Sequence, residues 1–365
     1  MRKLLLVCSV MPALVIAGFS LAQTPATPKP TSTPSQNSRP IKRAPDGRPD
    51  LQGMYDFATL TPLERPAGAK AVLTAEEAAN LEQRIARQKA IGDLPSKGDR
   101  EAPPLGGDGS TGAAGNVGGY NTFWLDAGSS YTVVNGERRT SLIIDPTDGR
   151  VPPLTDQARA RVAAARAARP TSDATESRDP GLEPAGSYDD PERRPLGERC
   201  LLGFGSTSGP PALPNYFYNN LHRIVQTPEY VMILTEMVHD ARIIRIGGEH
   251  APKTIRKWMG DSVGRWEGDT LVVDTTNFTD KTRFRGSTEN LHVVERFTRI
   301  DDNTLLYRFT IEDPATWARP WTGEFTWPAT TDLMYEYACH EANYSLENIL
   351  RGARQREADA AKKPR

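Results

Sequence analysis

Carboxylates and imidazoles placed by strand parity are the first candidates for chemistry in this chain. Side chains alternate between the two faces of a strand. In Leu291–Arg299 the face made by Leu291, Val293, Glu295 and Phe297 is apolar except for Glu295. Read the same way, Leu333, Tyr335, Tyr337 and Cys339 lead to Glu341, while Glu324 shares a face with Thr322. An acid on an inward face must be paired or neutral, because taking a charge out of water is costly. Glu295 and Glu341 are therefore the expected acid and base for sugar or related chemistry, with His239 or His292 nearby. The competing expectation is an interior ion-pair network, with Arg223, Arg242, Arg265 or Arg296 as the partner.

A second chemistry is binding. Trp258, Trp266, Trp317, Trp321, Trp327, Tyr216, Phe217 and Tyr218 are flat rings that either fill a core or line a pocket for a sugar-like or lipophilic molecule. The expected ligand contacts are Trp124, Arg242, Trp258, Arg265, Trp266 and Tyr337. Gly260-Asp261-Ser262-Val263-Gly264 matches the G-x-S-x-G nucleophile elbow in letters only. That motif needs a strand before the Ser and a helix after it. Here basic Lys253–Met259 precedes it, and a turn and a strand follow. The five histidines show no HxH or HExxH spacing, so no metal is assigned, a dispersed His222/His239/His292 set being the alternative. Gly106–Gly119 lacks the strand–GxxxxGK–helix context of a phosphate loop, and no cofactor is expected. Asn277-Phe278-Thr279 and Asn343-Tyr344-Ser345 are glycosylation sequons.

These residues are carried by a chain organised around Trp258–Phe278, WMGDSVGRWEGDTLVVDTTNF. Its Glu267-Gly268-Asp269 turn feeds a strand over Thr270–Asp274, because Gly tolerates positive φ and Asp bonds its own backbone. Further strands are expected at Met54–Thr59, Tyr120–Asp126, Arg139–Asp145, His222–Gln226, Tyr230–Val238 and Arg242–Ile246. Others follow at Leu291–Ile300, Thr304–Ile311, Trp321–Trp327 and Leu333–His340. Leu73–Ile91 reads as a helix with a Thr74/Glu77 capping box. Thr155–Ala168 reads as a surface helix, and the chain ends in a helix from about Leu346 with Ser345 as its cap. Short strands with brief turns predict a mainly β protein, an antiparallel meander forming a barrel or sandwich with a few peripheral helices. The expected organisation is a signal peptide (1–22), a Pro/Thr/Ser linker (23–45), an irregular part (46–198), a β core (199–345), and a C-terminal helix and tail (346–365). The first two structured parts are also compatible with one shared sheet.

The 365 residues include 60 Gly and Pro together, a load that favours turns over a helical bundle. Arg2 and Lys3, the apolar run Leu4–Ile16 and the small residues Ser20-Leu21-Ala22 have the layout of a signal peptide cut after Ala22. A periplasmic or secreted protein with no membrane span after cleavage is expected. Losing two cations moves the net charge from −1 to about −3, which gives no bias toward nucleic acid. Of three cysteines, Cys8 leaves with the signal, and Cys200 and Cys339 are expected to pair in an oxidising compartment. The sequence sets no oligomeric state.

Seven stretches carry a resemblance: YNTFWLDAG (120–128), RTSLIIDPTDGRVPPLT (139–155), RPLGERCL (194–201), IVQTPEYVMILTEMVHDARII (224–244), the central WMGDSVGRWEGDTLVVDTTNF, HVVERF (292–297) and YEYACHEANY (335–344). As a set they resemble a family of exported bacterial proteins of unknown function with the motif WxGxSxGxWEGDTLVVDT. That likeness implies export and identity, and no activity. Gly53-Met54-Tyr55 also looks like the Gly-x-Trp entry of lipocalin-type barrels, with Tyr in place of Trp. The leading expectation is a small-ligand binder with an aromatic-lined pocket. The alternatives are a hydrolase, lyase or isomerase on the same scaffold, and an envelope interaction protein without a small-molecule site.

Overall fold

The computed structural model describes residues 41–92, 126–167, 188, 190–203, 209–214, 218–281 and 284–362. The signal peptide, most of the linker, the Gly-rich segment, Tyr120–Leu125 with Trp124, and Tyr216 and Phe217 lie outside the described residues.

Thirteen strands are described: β1 (Gly53–Asp56), β2 (Val72–Leu73), β3 (Val133–Val134), β4 (Glu137–Arg139), β5 (Ile143–Asp145), β6 (Leu221–Gln226), β7 (Tyr230–Thr235), β8 (Ala241–Ile246), β9 (Asp261–Glu267), β10 (Thr270–Thr276), β11 (His292–Asp301), β12 (Thr304–Glu312) and β13 (Trp321–Pro328). Ten form one sheet in the order β1-β6-β7-β8-β9-β10-β11-β12-β13-β5, and β2, β4 and β3 form a small second sheet. The protein is mainly β, and the large sheet curls into a half-barrel. All its pairings are antiparallel except β8 with β9. Curling brings the β1 edge back to the end of β13, where Tyr55 bridges Ala329 and Thr330 N–H donates to the Met54 carbonyl.

The inner face follows from alternation. On β12 Leu305, Tyr307, Phe309 and Ile311 are fully buried, as are Trp321, Phe325 and Trp327 on β13. Gly323 interrupts that run because its cross-strand partner is Phe309. A Cβ at 323 would stand 2.4 Å from Phe309 Cζ, so the absent side chain is the space the ring occupies. At one end, buried Arg299 closes the curl. Its Nε donates to the Asp50 carbonyl (2.6 Å), Nη1 to the Asp302 carbonyl (2.8 Å) and Nη2 to the Tyr55 hydroxyl (2.7 Å). Hydrogen bonds from a charged donor each contribute about 1.5–3 kcal/mol, so this one side chain ties β1 to the β11–β12 turn.

The small sheet covers part of the outer face. Arg139 of β4 and Arg308 of β12 both pair with Glu324, which is buried there. The capping box forms as expected: Glu77 N–H donates to Thr74 Oγ1 (3.1 Å) and Thr74 N–H to Glu77 Oε2 (2.8 Å), starting α1 (Ala75–Gly92). The other helices are α2 (Asp156–Ala167) and α3 (Tyr344–Lys362). At α3 the sequence expectation is shifted, since Asn343 Oδ1 accepts from Leu346 N–H.

Three elements differ from the sequence reading. The expected strand Arg139–Asp145 is divided, its first residue ending β4 in the small sheet and its last three forming β5 at the edge of the large one. Asp261–Glu267, taken as part of a corner, is strand β9, because seven consecutive residues pair with β10 across the Gly268-Asp269 turn. Leu333–His340 forms no strand and joins no sheet, and it runs into a short 3-10 turn, His340–Ala342. Cys200 and Cys339 are joined by a disulfide with their Cα atoms 5.7 Å apart. No helix of the described residues is long and apolar enough to cross a membrane.

Candidate active site

The expected catalytic residues are not brought to one place. Glu295 lies inside the curl, fully buried. Arg242 grips it with two hydrogen bonds, one of 3.0 Å to Oε1, and the Tyr307 hydroxyl donates to Oε1 at 2.8 Å. Tyr307 in turn accepts from Ala212 N–H (2.9 Å). Three donors and one matching cation occupy this carboxylate, which is the interior ion pair anticipated as the alternative. Burial and the neighbouring Glu295 charge raise the Tyr307 phenol well above its usual range.

Glu341 is exposed on the 3-10 turn. The parity argument that turned it inward fails because Leu333–His340 has no strand pleat. His239 is also exposed, in a 3-10 turn with φ of 52°. Of the expected ligand contacts, Arg242 is inside, Trp258 is 44 % exposed, and exposed Arg265 pairs with Glu267. Half-buried Trp266 lies under the Arg48 guanidinium, and half-buried Tyr337 is on the unpaired run. They are spread over several surfaces instead of lining one pocket.

His292 is where titratable groups do converge, on the outer face. It is an odd number of residues from Glu295 on β11, so the two side chains leave opposite faces. Its Nε2 lies 3.0 Å from Asp274 Oδ2 on β10, and its Nδ1 lies 3.5 Å from Glu312, the cross-strand partner on β12. The second Asp274 oxygen meets His250 Nε2 at 3.0 Å. His250 Nδ1 reaches Asp261 Oδ2 at 3.2 Å on β9. Buried Asp261 also accepts from both Arg245 Nη atoms, Ala251 N–H and Lys257 Nζ. The result is an alternating row across five strands and the β8–β9 connection: Arg245, Asp261, His250, Asp274, His292, Glu312.

Electrostatics follow from that alternation. The Arg245 guanidinium holds the Asp261 carboxyl far below its usual range. The hydrogen bond from His292 lowers Asp274, and the same bond raises His292. His250 has a carboxylate oxygen near each ring nitrogen, Asp261 at 3.2 Å and Asp274 at 3.0 Å. His292 differs. Its Nε2 is held by Asp274 at 3.0 Å, while its Nδ1 faces the half-exposed Glu312 across a longer 3.5 Å. A half-exposed imidazole oriented by a carboxylate, with a second carboxylate beside its other nitrogen, has the parts of a general acid–base.

Sequence reasoning included His292 but missed Asp261, Asp274, His250 and Glu312. A signal existed: Asp261 and Asp274 flank the central hairpin, and parity puts Asp274 and His292 on one face. His250, in the β8–β9 connection, has no periodic signal. No family model, curated protein or solved structure matches the chain.

Proposed function

We propose that this protein is an exported enzyme of the hydrolase, lyase or isomerase type, working by proton transfer at His292. The observation that carries the reading is the double use of Asp274, which receives the Nε2 of both His292 and His250 on a solvent-accessible face. Asp274 fixes the tautomer of His292, so that Nδ1 is the basic atom. That nitrogen takes a proton from a small polar substrate, or from water attacking it, and returns it to the leaving group. Asp274 stabilises the imidazolium formed, and His250, anchored on Asp261, keeps Asp274 in place. Positioned acid–base catalysis of this kind contributes typically 10²–10⁴-fold in rate.

Export is part of the proposal: Met1–Ala22 acts as a signal peptide, cut after Ala22, and the Cys200–Cys339 bridge fits an oxidising compartment. So is membership of the exported family that the central motif resembles.

The test is a turnover screen of the purified protein against esters, glycosides and uronate-containing saccharides, repeated with His292→Gln and Asp274→Asn. The expected result is a substrate whose kcat falls at least 100-fold in His292→Gln while the variant stays folded by circular dichroism. The Asp274→Asn profile should shift to lower pH. A substrate turned over equally by His292→Gln rules the reading out.

A further inference from the structure

The outer face of β6, β7 and β8 carries an apolar surface that the proposed chemistry leaves unused. Ile224, Val231, Ile233 and Ile244 are buried in the core, so alternation turns their neighbours outward. Pairing sets Val225 opposite Met232 and Met232 opposite Ile243, one row across three strands. Leu234 opposite Ala241 makes a second row beside it, and Tyr230 stands on the other side. Ile243 is 50 % exposed and Tyr230 46 %, Ala241 is exposed, and Val225, Met232 and Leu234 are half-buried. Single exposed apolar side chains are ordinary, but adjoining ones in such number mark a contact surface.

Opposite charges stand at the two ends of these rows. Arg223, exposed, is the strand partner of Leu234. At the far end Arg245 is the partner of Tyr230, and its Nη2 donates to the carbonyl of exposed Glu249 (3.1 Å). Among the described residues neither Arg223 nor Glu249 forms a side-chain ion pair.

We infer that this face binds a second copy of the chain, forming a two-fold dimer with sheet packed on sheet. A two-fold axis in the contact plane, passing near Met232 and across the line from Arg223 to Glu249, exchanges the two ends. Each Arg223 then lies over Glu249 of the partner subunit, and the apolar rows cover one another. Packed sheets stand about 10 Å apart, a gap that arginine and glutamate side chains bridge from either side. A two-fold contact must be self-complementary. This surface is apolar in the middle, with one unpaired charge of each sign at its ends. A lipid surface or polyanion meets repulsion at Glu249, and a cationic partner meets it at Arg223. A second copy answers both signs. The ion pairs lie at the rim, where they set register more than affinity. The apolar rows fall short of the about 20–30 residues a side in a standard interface, so the dimer is reversible and dissociates on dilution.

The inference does not rest on the proposed chemistry, and His292→Gln should leave association unchanged. Sedimentation velocity of the full chain over a concentration series is expected to show a monomer–dimer equilibrium. Ile243→Lys, at an exposed position, should weaken it at least tenfold, and so should Arg223→Glu or Glu249→Arg. An equimolar mixture of the last two variants should restore the dimer, since one carries acids at both ends and the other arginines at both ends. A monomer at every concentration overturns the inference, and one that co-sediments with phosphatidylglycerol vesicles gives the face to lipid instead. A dimer that ignores Ile243→Lys, or a mixture that stays monomeric, overturns it too. The charge-swap mixture decides the matter even where Ile243→Lys does not fold.

Discussion

His292 and Glu295 stand three residues apart on β11 and face opposite sides of the sheet, one half-exposed, the other fully buried. This separation puts His292 in the outer row and Glu295 in a closed pair inside. It also gives the two positions different expected responses to mutation.

Glu295→Gln should act on stability. The substitution keeps the shape but leaves the Arg242 guanidinium buried without its counter-charge. Breaking one partner of a buried pair costs about 3–5 kcal/mol. At roughly 2–4 °C per kcal/mol for a chain of this size, the melting temperature should fall by about 10 °C in calorimetry. Replacing both partners with apolar side chains of like volume should recover most of that loss. A fall of under 2 °C for the single mutant contradicts the structural assignment.

His292 should give the outer row a pH dependence. Its folded-state pKa is raised, chiefly by the hydrogen bond to Asp274, with Glu312 acting in the same direction. The stabilisation is therefore fully present below the unfolded value near 6.5 and is lost as pH rises through the higher folded value. The groups facing the ring are Asp274, His250 beyond it, and Glu312. Urea unfolding at pH 6 and pH 9 should show a loss in the wild type that His292→Asn removes. An identical pH slope in both proteins refutes the coupling.

Asp56 should do the opposite. Burial, with repulsion from Asp126, Asp332 and Glu236, pushes its carboxyl up to about 6, although the Ala58 N–H bond works against the rise. A raised carboxyl destabilises the folded state as pH climbs from the unfolded value near 4 through 6. Asp56→Asn keeps the oxygen that accepts from Ala58 and removes the charge. After allowing for partial exposure, it should stabilise the protein by about 1–2 kcal/mol at pH 7.5 and by almost nothing at pH 4. Equal effects at both pH values count against this reading.

The fold was more legible than the site, and particular elements show why. Period-2 alternation marks β11, β12 and β13, and a Gly-Asp pair at the β9–β10 turn marks the hairpin, because these are local signals. Leu333–His340 alternates just as well yet forms no strand, since pairing needs a free edge that sequence does not display. The same limit hid the outer row. Asp261, Asp274 and His292 come from three strands, and His250 from a connection whose course depends on the parallel β8–β9 pairing. The inward acid at Glu295 was readable, but its partner was one arginine among four until β8 was placed beside it in space.

The Cys200–Cys339 bridge offers a last test, in which magnitude decides the outcome. A cross-link over a separation of 139 residues adds about 4–5 kcal/mol by the chain-entropy relation, if its loss frees the whole unfolded chain. Yet the segment it pins contributes little to the core: Leu333, Tyr335 and Tyr344 are 68–70 % exposed, and α3 buries no residue. Such a segment opens locally, below the free energy of the sheet. Cys339→Ser should therefore expose the stretch from Thr331 to proteolysis while the main melting transition falls by only a few degrees. A drop near 10 °C or more in that transition, with no new cleavage after Thr330, would mean that the bridge braces the half-barrel itself.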